Sequence, residues 1–148
     1  MPEEAGSAKA PYHNFKHHLF PLNEGSIAAV DEVSKIPLEL KEFYRKIGYG
    51  FFFKQQKDAF NRLLDPESFR LINLKEDYYE NDPDLEIYGR LYQGTKLLFF
   101  EIIEGRYLAI DVLSKDNKNA IFYFGRMISD SLEGFLQAFD ADPTLLDN

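Results

Sequence analysis

Apolar residues recur along this chain with two periods, and the switches between them lay out its elements. "NEGSIAAVDEVSKI" places Ile27, Val30 and Val33 at helical spacing behind Ser26, a capping candidate, and predicts a first short helix. Pro37 stands at the first position of a second helix. Leu40, Phe43, Tyr44 and Ile47 form its apolar stripe at i, i+3, i+4 and i+7, while Glu39, Lys41, Glu42, Arg45 and Lys46 take its outer face. Gly48 or Gly50 supplies the left-handed residue that ends it, and Phe51, Phe52 and Phe53 read as a short strand entering the core. A strand ending at Leu64 leads to Asp65 as N-cap and Pro66 as first helical residue, with Phe69 and Ile72 facing inward. "KEDYYENDPDLEIYG" reads as a polar, tyrosine-bearing loop.

The strongest β pattern is "KLLFFEIIEGRYLAIDV", two apolar strands around a Glu104-Gly105 turn. "DNKN" turns the chain again before a third strand, "AIFYFG". Asp130 and Glu133 fit a capping box, and Leu132, Phe135, Leu136 and Phe139 form the stripe of a C-terminal helix. Upstream of all this, "YHNFKHHLFPL" alternates aromatic and polar residues and is expected to lie extended against the body. The order predicts an α+β fold: a mainly antiparallel meander with N-terminal helices and a C-terminal helix packed on it. Residues 1–11 are expected to form a disordered leader, 12–143 a single domain, and 144–148 a tail.

Composition narrows the function classes. The chain has 148 residues and a formal net charge of −8, from 25 acidic against 17 basic residues, so it repels phosphate backbones and nucleic-acid binding is not expected. Such a surface suits a basic protein partner. Cysteine is absent, which removes disulfides, thiol nucleophiles and thiolate metal sites and fits a cytoplasmic location. No apolar run approaches the roughly 20 residues that span a bilayer, and "MPEEAGSAKAP" lacks the features of a signal peptide. Aromatic residues are abundant, all Phe and Tyr with no Trp, so the core should be built on rings.

Candidate chemistry is sparse. His13 and His17 would share a helix face, but a third ligand is missing and His17 and His18 are adjacent, so no metal site is expected; the three histidines read as part of a solvated leader. A two-residue Glu104-Gly105 loop pairs Ile103 with Arg106, Glu101 with Leu108 and Asp111 with Leu98. That register puts Glu101 and Asp111 on opposite faces, where they form no acid/base pair; each reads instead as an edge gatekeeper or the partner of a nearby Lys or Arg. No phosphate-loop, dinucleotide or nucleophile-elbow glycine pattern is present, and the Gly48-Tyr49-Gly50 turn ends a helix, where anions are not favoured. With no histidine expected in the body of the domain, serine nucleophiles lack a base. Neither a cofactor nor an enzyme activity is expected.

The ordered motifs resemble the SUKH superfamily, whose founding members are the Smi/Knr-type cell-wall assembly regulators of yeast. The resemblance rests on "SIAAVDEVSKIPLELKEFYRKIGYGFF", on "YLAIDV" and "AIFYFG", and on "MISDSLEGFLQAF", and it covers about residues 20 to 140. Many members carry tryptophans near the Gly turn, where this chain has Phe51 to Phe53. The resemblance implies a non-catalytic role. Bacterial members are mostly immunity proteins that bind and block a secreted polymorphic toxin, often a nuclease; the fungal members are regulatory scaffolds, which is the alternative reading. A monomer or weak homodimer is expected. The segment that best suits a basic partner is residues 76–92, with Glu76, Asp77, Glu80, Asp82, Asp84 and Glu86 interleaved with Tyr78, Tyr79, Tyr88 and Tyr92. Carboxylates steer a basic partner, and tyrosine gives contact area at low entropy cost. The same residues also read as a solvated acidic loop whose tyrosines pack on the sheet.

Overall fold

The computed structural model describes residues 17–53, 60–76 and 79–146. The expected leader over residues 1–11, and with it His13, Asp77 and Tyr78, lie outside the described residues. Among the described residues the strands are β1 His18–Phe20, β2 Tyr49–Phe51, β3 Arg62–Leu63, β4 Lys96–Ile103, β5 Arg106–Asp111, β6 Ile121–Tyr123 and β7 Arg126–Ser129. The helices are α1 Glu24–Ser34, α2 Leu38–Lys46, α3 Pro66–Leu74, α4 Pro83–Tyr92 and α5 Leu132–Ala141. The strands form one antiparallel sheet in chain order, so the α+β meander holds. Helices α1 and α2 are inserted between β1 and β2, and α3 and α4 between β3 and β4.

The Gly48-Tyr49-Gly50 turn has a definite cause. Gly48 (φ +125) follows the last turn of α2, and Gly50 (φ +150) pairs with Leu19 of β1. A Cβ on Gly48 would stand 1.8 Å from the Phe20 carbonyl oxygen, and one on Gly50 2.1 Å from that of His18. β1 crosses too close for a side chain, so both glycines are required by backbone approach; Gly48 also closes the last turn of α2, its N–H donating to the Phe43 carbonyl at 3.1 Å, whereas Gly50 lies within β2.

Three helix starts lie elsewhere than the spacing predicts. The cap of α1 is Asn23, whose side chain accepts from the Ser26 N–H at 2.8 Å, so Ser26 already lies inside the helix. Its buried stripe is Ile27, Val30 and Ser34, which leaves Val33 56% exposed. Pro37 is the N-cap of α2, and the helix begins at Leu38. The cap of α5 is Ser131, whose hydroxyl accepts from the Gly134 N–H at 2.9 Å. Further donors at that end are taken by Glu39 of α2: Oε1 accepts from the Leu132 N–H and Oε2 from that of Glu133, while Oε1 also accepts from the Asn119 N–H ahead of β6, at 2.8–2.9 Å. Glu39 therefore faces into the fold and pins α2 to α5.

The strand register also differs. On β4, Leu98 pairs with Ala109 and Phe100 with Leu108, and Glu101 pairs with Tyr107 and Ile103 with Arg106. Phe99 and Ile102 are thus bulge residues, and each bulge exchanges the faces of the residues beyond it. The first lets two consecutive rings, Phe99 and Phe100, both reach Phe135, at 6.5 and 5.7 Å. Phe52, Phe100, Phe135 and Phe139 complete a core of fully buried rings under α5. Where β3 stops, the Asn73 amide of α3 continues the ladder, accepting from the Leu98 N–H and donating to the Leu98 carbonyl at 2.8 Å each.

His17 belongs to the body, against the expectation of a solvated leader. It is fully buried, its Nδ1 accepts from the Phe53 N–H at 3.1 Å, and its Nε2 donates to Asp140 at 2.6 Å. The chain continues past "AIFYFG" into β7 through a two-residue Phe124-Gly125 turn. Both turn residues have positive φ, +47 and +83, the type I′ geometry. A β-carbon-bearing residue in that conformation costs about 1–2 kcal/mol. No helix among the described residues is long and apolar enough to cross a membrane.

Candidate functional site

The segment expected to be a loop contains α4. Asp82 caps it, accepting from the Asp84 N–H at 2.8 Å, Pro83 takes the first helical position, and Leu85, Tyr88 and Tyr92 form its buried stripe. The Asp-Pro pair and the i, i+3, i+7 spacing were available signals for this helix, the same ones that mark Asp65-Pro66 and α3.

The helix divides the expected contact residues into three groups. Asp82, Asp84 and Tyr79 line one cleft of about 500 Å3. Glu80 and Glu86 are exposed to solvent, the latter 4.0 Å from Arg90 on the same helix. Glu76 is ion-paired with Arg70, and Tyr88 is buried with its hydroxyl accepting from the Tyr107 N–H at 2.9 Å. Tyr92 does the same for Gly125 at 3.1 Å. These last three residues hold the fold, so Tyr88 in particular is a core residue and presents no contact surface.

The cleft lies between the start of α4 and the β4–β5 turn, and sequence reasoning missed two of its carboxylates. Glu104 comes from the turn and Glu101 from β4. Gly105 lets the two elements meet: a Cβ there would fall 2.4 Å from the Asp84 carboxylate. Glu101 is 10% exposed at the side chain and paired with Arg62 at 3.1 Å, which bears out the Lys-or-Arg partner reading. Burial pushes the Glu101 carboxyl above its ordinary range, against the attraction of Arg62. Burial, and then the Glu101 charge, push the Tyr107 phenol far above its own range. The cleft therefore has Arg62 committed to Glu101, while Asp82, Asp84 and Glu104 add further negative charge. Its chemistry suits guanidinium or ammonium groups presented by a partner.

Glu101 and Asp111 share one face of the sheet, which corrects the predicted opposite placement; the β4 bulges are the cause. Asp111 pairs with Lys96, five positions from Glu101 along β4, so the carboxylates stand roughly 16 Å apart and form no acid/base pair. Among the described residues no group of three His, Asp or Glu is arranged to hold a metal ion.

Comparison with known proteins gives two matches. A family model described as SMI1-KNR4 cell-wall, SUKH_6, matches residues 34–139. "Immunity protein YxxD" of Bacillus subtilis (strain 168) is 37% identical over 129 residues, 86% of this chain and 86% of that protein. No solved structure matches.

Proposed function

The chain belongs to the SMI1-KNR4 family, SUKH_6, and from that premise we propose that it is a non-catalytic immunity protein that binds and neutralises a cognate secreted toxin. The observation that carries this reading is the similarity to a protein named for immunity, which runs through most of both chains. The binding unit is one domain over residues 12–143, acting in the cytoplasm of the producing cell as a monomer or weak homodimer. The toxin is a basic domain, and a nuclease is the activity we assign to it: a nuclease must gather positive charge around its substrate, and the net charge of −8 and the acidic cleft complement that surface. Of the contact residues read from the sequence, we assign Asp82, Asp84 and Tyr79 to the interface, with the exposed Glu80 and Glu86 around it.

A protection assay tests this. The C-terminal domain of the secreted toxin encoded beside this gene is expressed with and without the protein, and cell survival is followed. Rescue with a co-purifying complex is expected, and the toxin's activity on nucleic acid should vanish in that complex. Survival that does not improve, or toxin that purifies free, overturns the reading.

A further inference from the structure

We infer that the same partner docks on an apolar ridge beside the cleft, formed by Ile87 and Leu91 of α4 and Phe124 of the β6–β7 turn; this rests on the proposed immunity function. Ile87 is 48%, Leu91 45% and Phe124 49% exposed. Asp84, Ile87 and Leu91 stand at i, i+3 and i+7, so the ridge is continuous along one helix face with the acidic cleft.

Phe124 is the residue that asks for an explanation. A type I′ turn favours Asn, Asp or Gly at its first central position, and a bulky ring is strained there. Its ring nonetheless stacks on Tyr88, with centroids 5.5 Å apart and planes at 16°, and lies 5.0 Å from Tyr123. The turn beneath it is tied to α4 by the Gly125 N–H and the Tyr92 hydroxyl. Leu91 lies 3.5 Å from where a Cβ on Gly125 would stand. The Phe124 and Leu91 end of the ridge is therefore held in place before any partner arrives, which lowers the ordering cost of binding. Exposed, preordered aromatic and aliphatic groups beside a charged rim have the anatomy of an interface centre.

Charge selects the occupant. Asp82, Asp84 and Glu104 border the cleft end of the ridge, while Arg90 follows on the helix and Arg126 beside the turn. The matching surface is apolar at its middle, basic toward Asp84, and neutral or acidic toward Arg126. A second copy of this chain fits less well, because each copy carries a net charge of −8.

The test measures binding of the toxin domain to the full chain by surface plasmon resonance across a salt series. Phe124→Asn removes the ring while supplying a residue that prefers positive φ, so its unfolding midpoint should match or exceed the parent's. Its dissociation rate, and that of Leu91→Ser, should rise about tenfold or more with association nearly unchanged. Asp84→Asn with Glu104→Gln should instead slow association and flatten its salt dependence. If the parent chain binds and both ridge variants bind as tightly, the ridge inference is wrong while the immunity reading stands. If the parent does not bind the toxin at all, the immunity reading itself has failed. A parent that is dimeric by light scattering, with ridge variants that are monomeric, assigns the ridge to a second copy and also overturns the inference.

Discussion

Helices α4 and α5 cover opposite faces of the same sheet, and different chemistry holds each in place. α5 buries Leu132, Phe135, Leu136 and Phe139 against Phe52 and Phe100, and its first turn is closed by Ser131 and Glu39. Its buried stripe is apolar and packs mainly ring on ring, and polar bonds are confined to its two ends, where Glu39 and Ser131 close the first turn and Asp140 accepts from His17. α4 buries one leucine and two tyrosines, and the hydroxyls of those tyrosines take N–H groups from β5 and the β6–β7 turn. It leaves Ile87 and Leu91 in solvent and places Asp84 at the cleft. A helix fastened by a few polar bonds at its inner edge can present apolar groups outward, where a helix fastened by burial has none to spare. The difference separates the part of the molecule that holds the fold from the part that offers a surface.

Truncation on the α5 side should cost the most stability. Phe100 touches Phe52, Phe135 and Phe139, so Phe100→Ala should cost about 3–5 kcal/mol in urea unfolding. A loss smaller than that of Tyr88→Phe on α4 would contradict the division between the two helices. Glu39→Ala comes second, at about 2–3 kcal/mol, because three backbone donors lose one acceptor group. Glu39→Gln keeps one acceptor oxygen and should lose less; equal losses would mean that charge at the α5 N-terminus matters more than the bonds. On the α4 side, Tyr88→Phe removes only the acceptor for the Tyr107 N–H, and about 1 kcal/mol is expected. Hydrogen exchange should show faster opening at Tyr107 in that variant, with Phe135 and Phe139 on α5 unchanged.

The contrast also tracks what sequence reasoning can reach. The family and the antiparallel meander were legible because ring-rich strands, a Glu-Gly turn and the Leu132–Phe139 stripe are strong periodic signals, and the family match and topology agree with them. α4 was hidden by its own composition: six acidic residues over 76–86 read as a loop although Asp82-Pro83 repeats the cap that announced α3. Glu39 sat on the polar side of a helical wheel, and nothing local says that the polar side meets another helix's N-terminus. Alternation alone separates Glu101 and Asp111, because no residue marks the two bulges that it would have to count. Phe124 reads as strand, since a ring is the least expected tenant of a type I′ turn. The cleft was half legible for the same reason: Asp82, Asp84 and Tyr79 lie in one segment, whereas Glu101 and Glu104 arrive through register and a turn.

The smallest effect, and the one that tests the cleft's electrostatics, is the pH dependence carried by Glu101. Its folded-state carboxyl is raised by burial against the pull of Arg62, so the native chain holds this proton to higher pH than the unfolded chain does. The native state then binds more protons in that window, and stability falls as pH rises through it, from below the ordinary carboxylate range to above the raised one. Asp31 has the opposite slope: burial raises it, but the Lys41 ammonium and the Ile36 N–H outweigh that and hold it low, so its contribution is lost as pH falls. The two must be separated by difference. Unfolding of the parent and of Glu101→Gln, measured across the acid range, should give a parent advantage that is greatest at low pH and shrinks as pH rises. A difference that stays flat would mean that Arg62 fully offsets the burial. One that grows with pH would mean that the ion pair dominates and that the cleft holds its carboxylate for stability, leaving less of its charge to a partner.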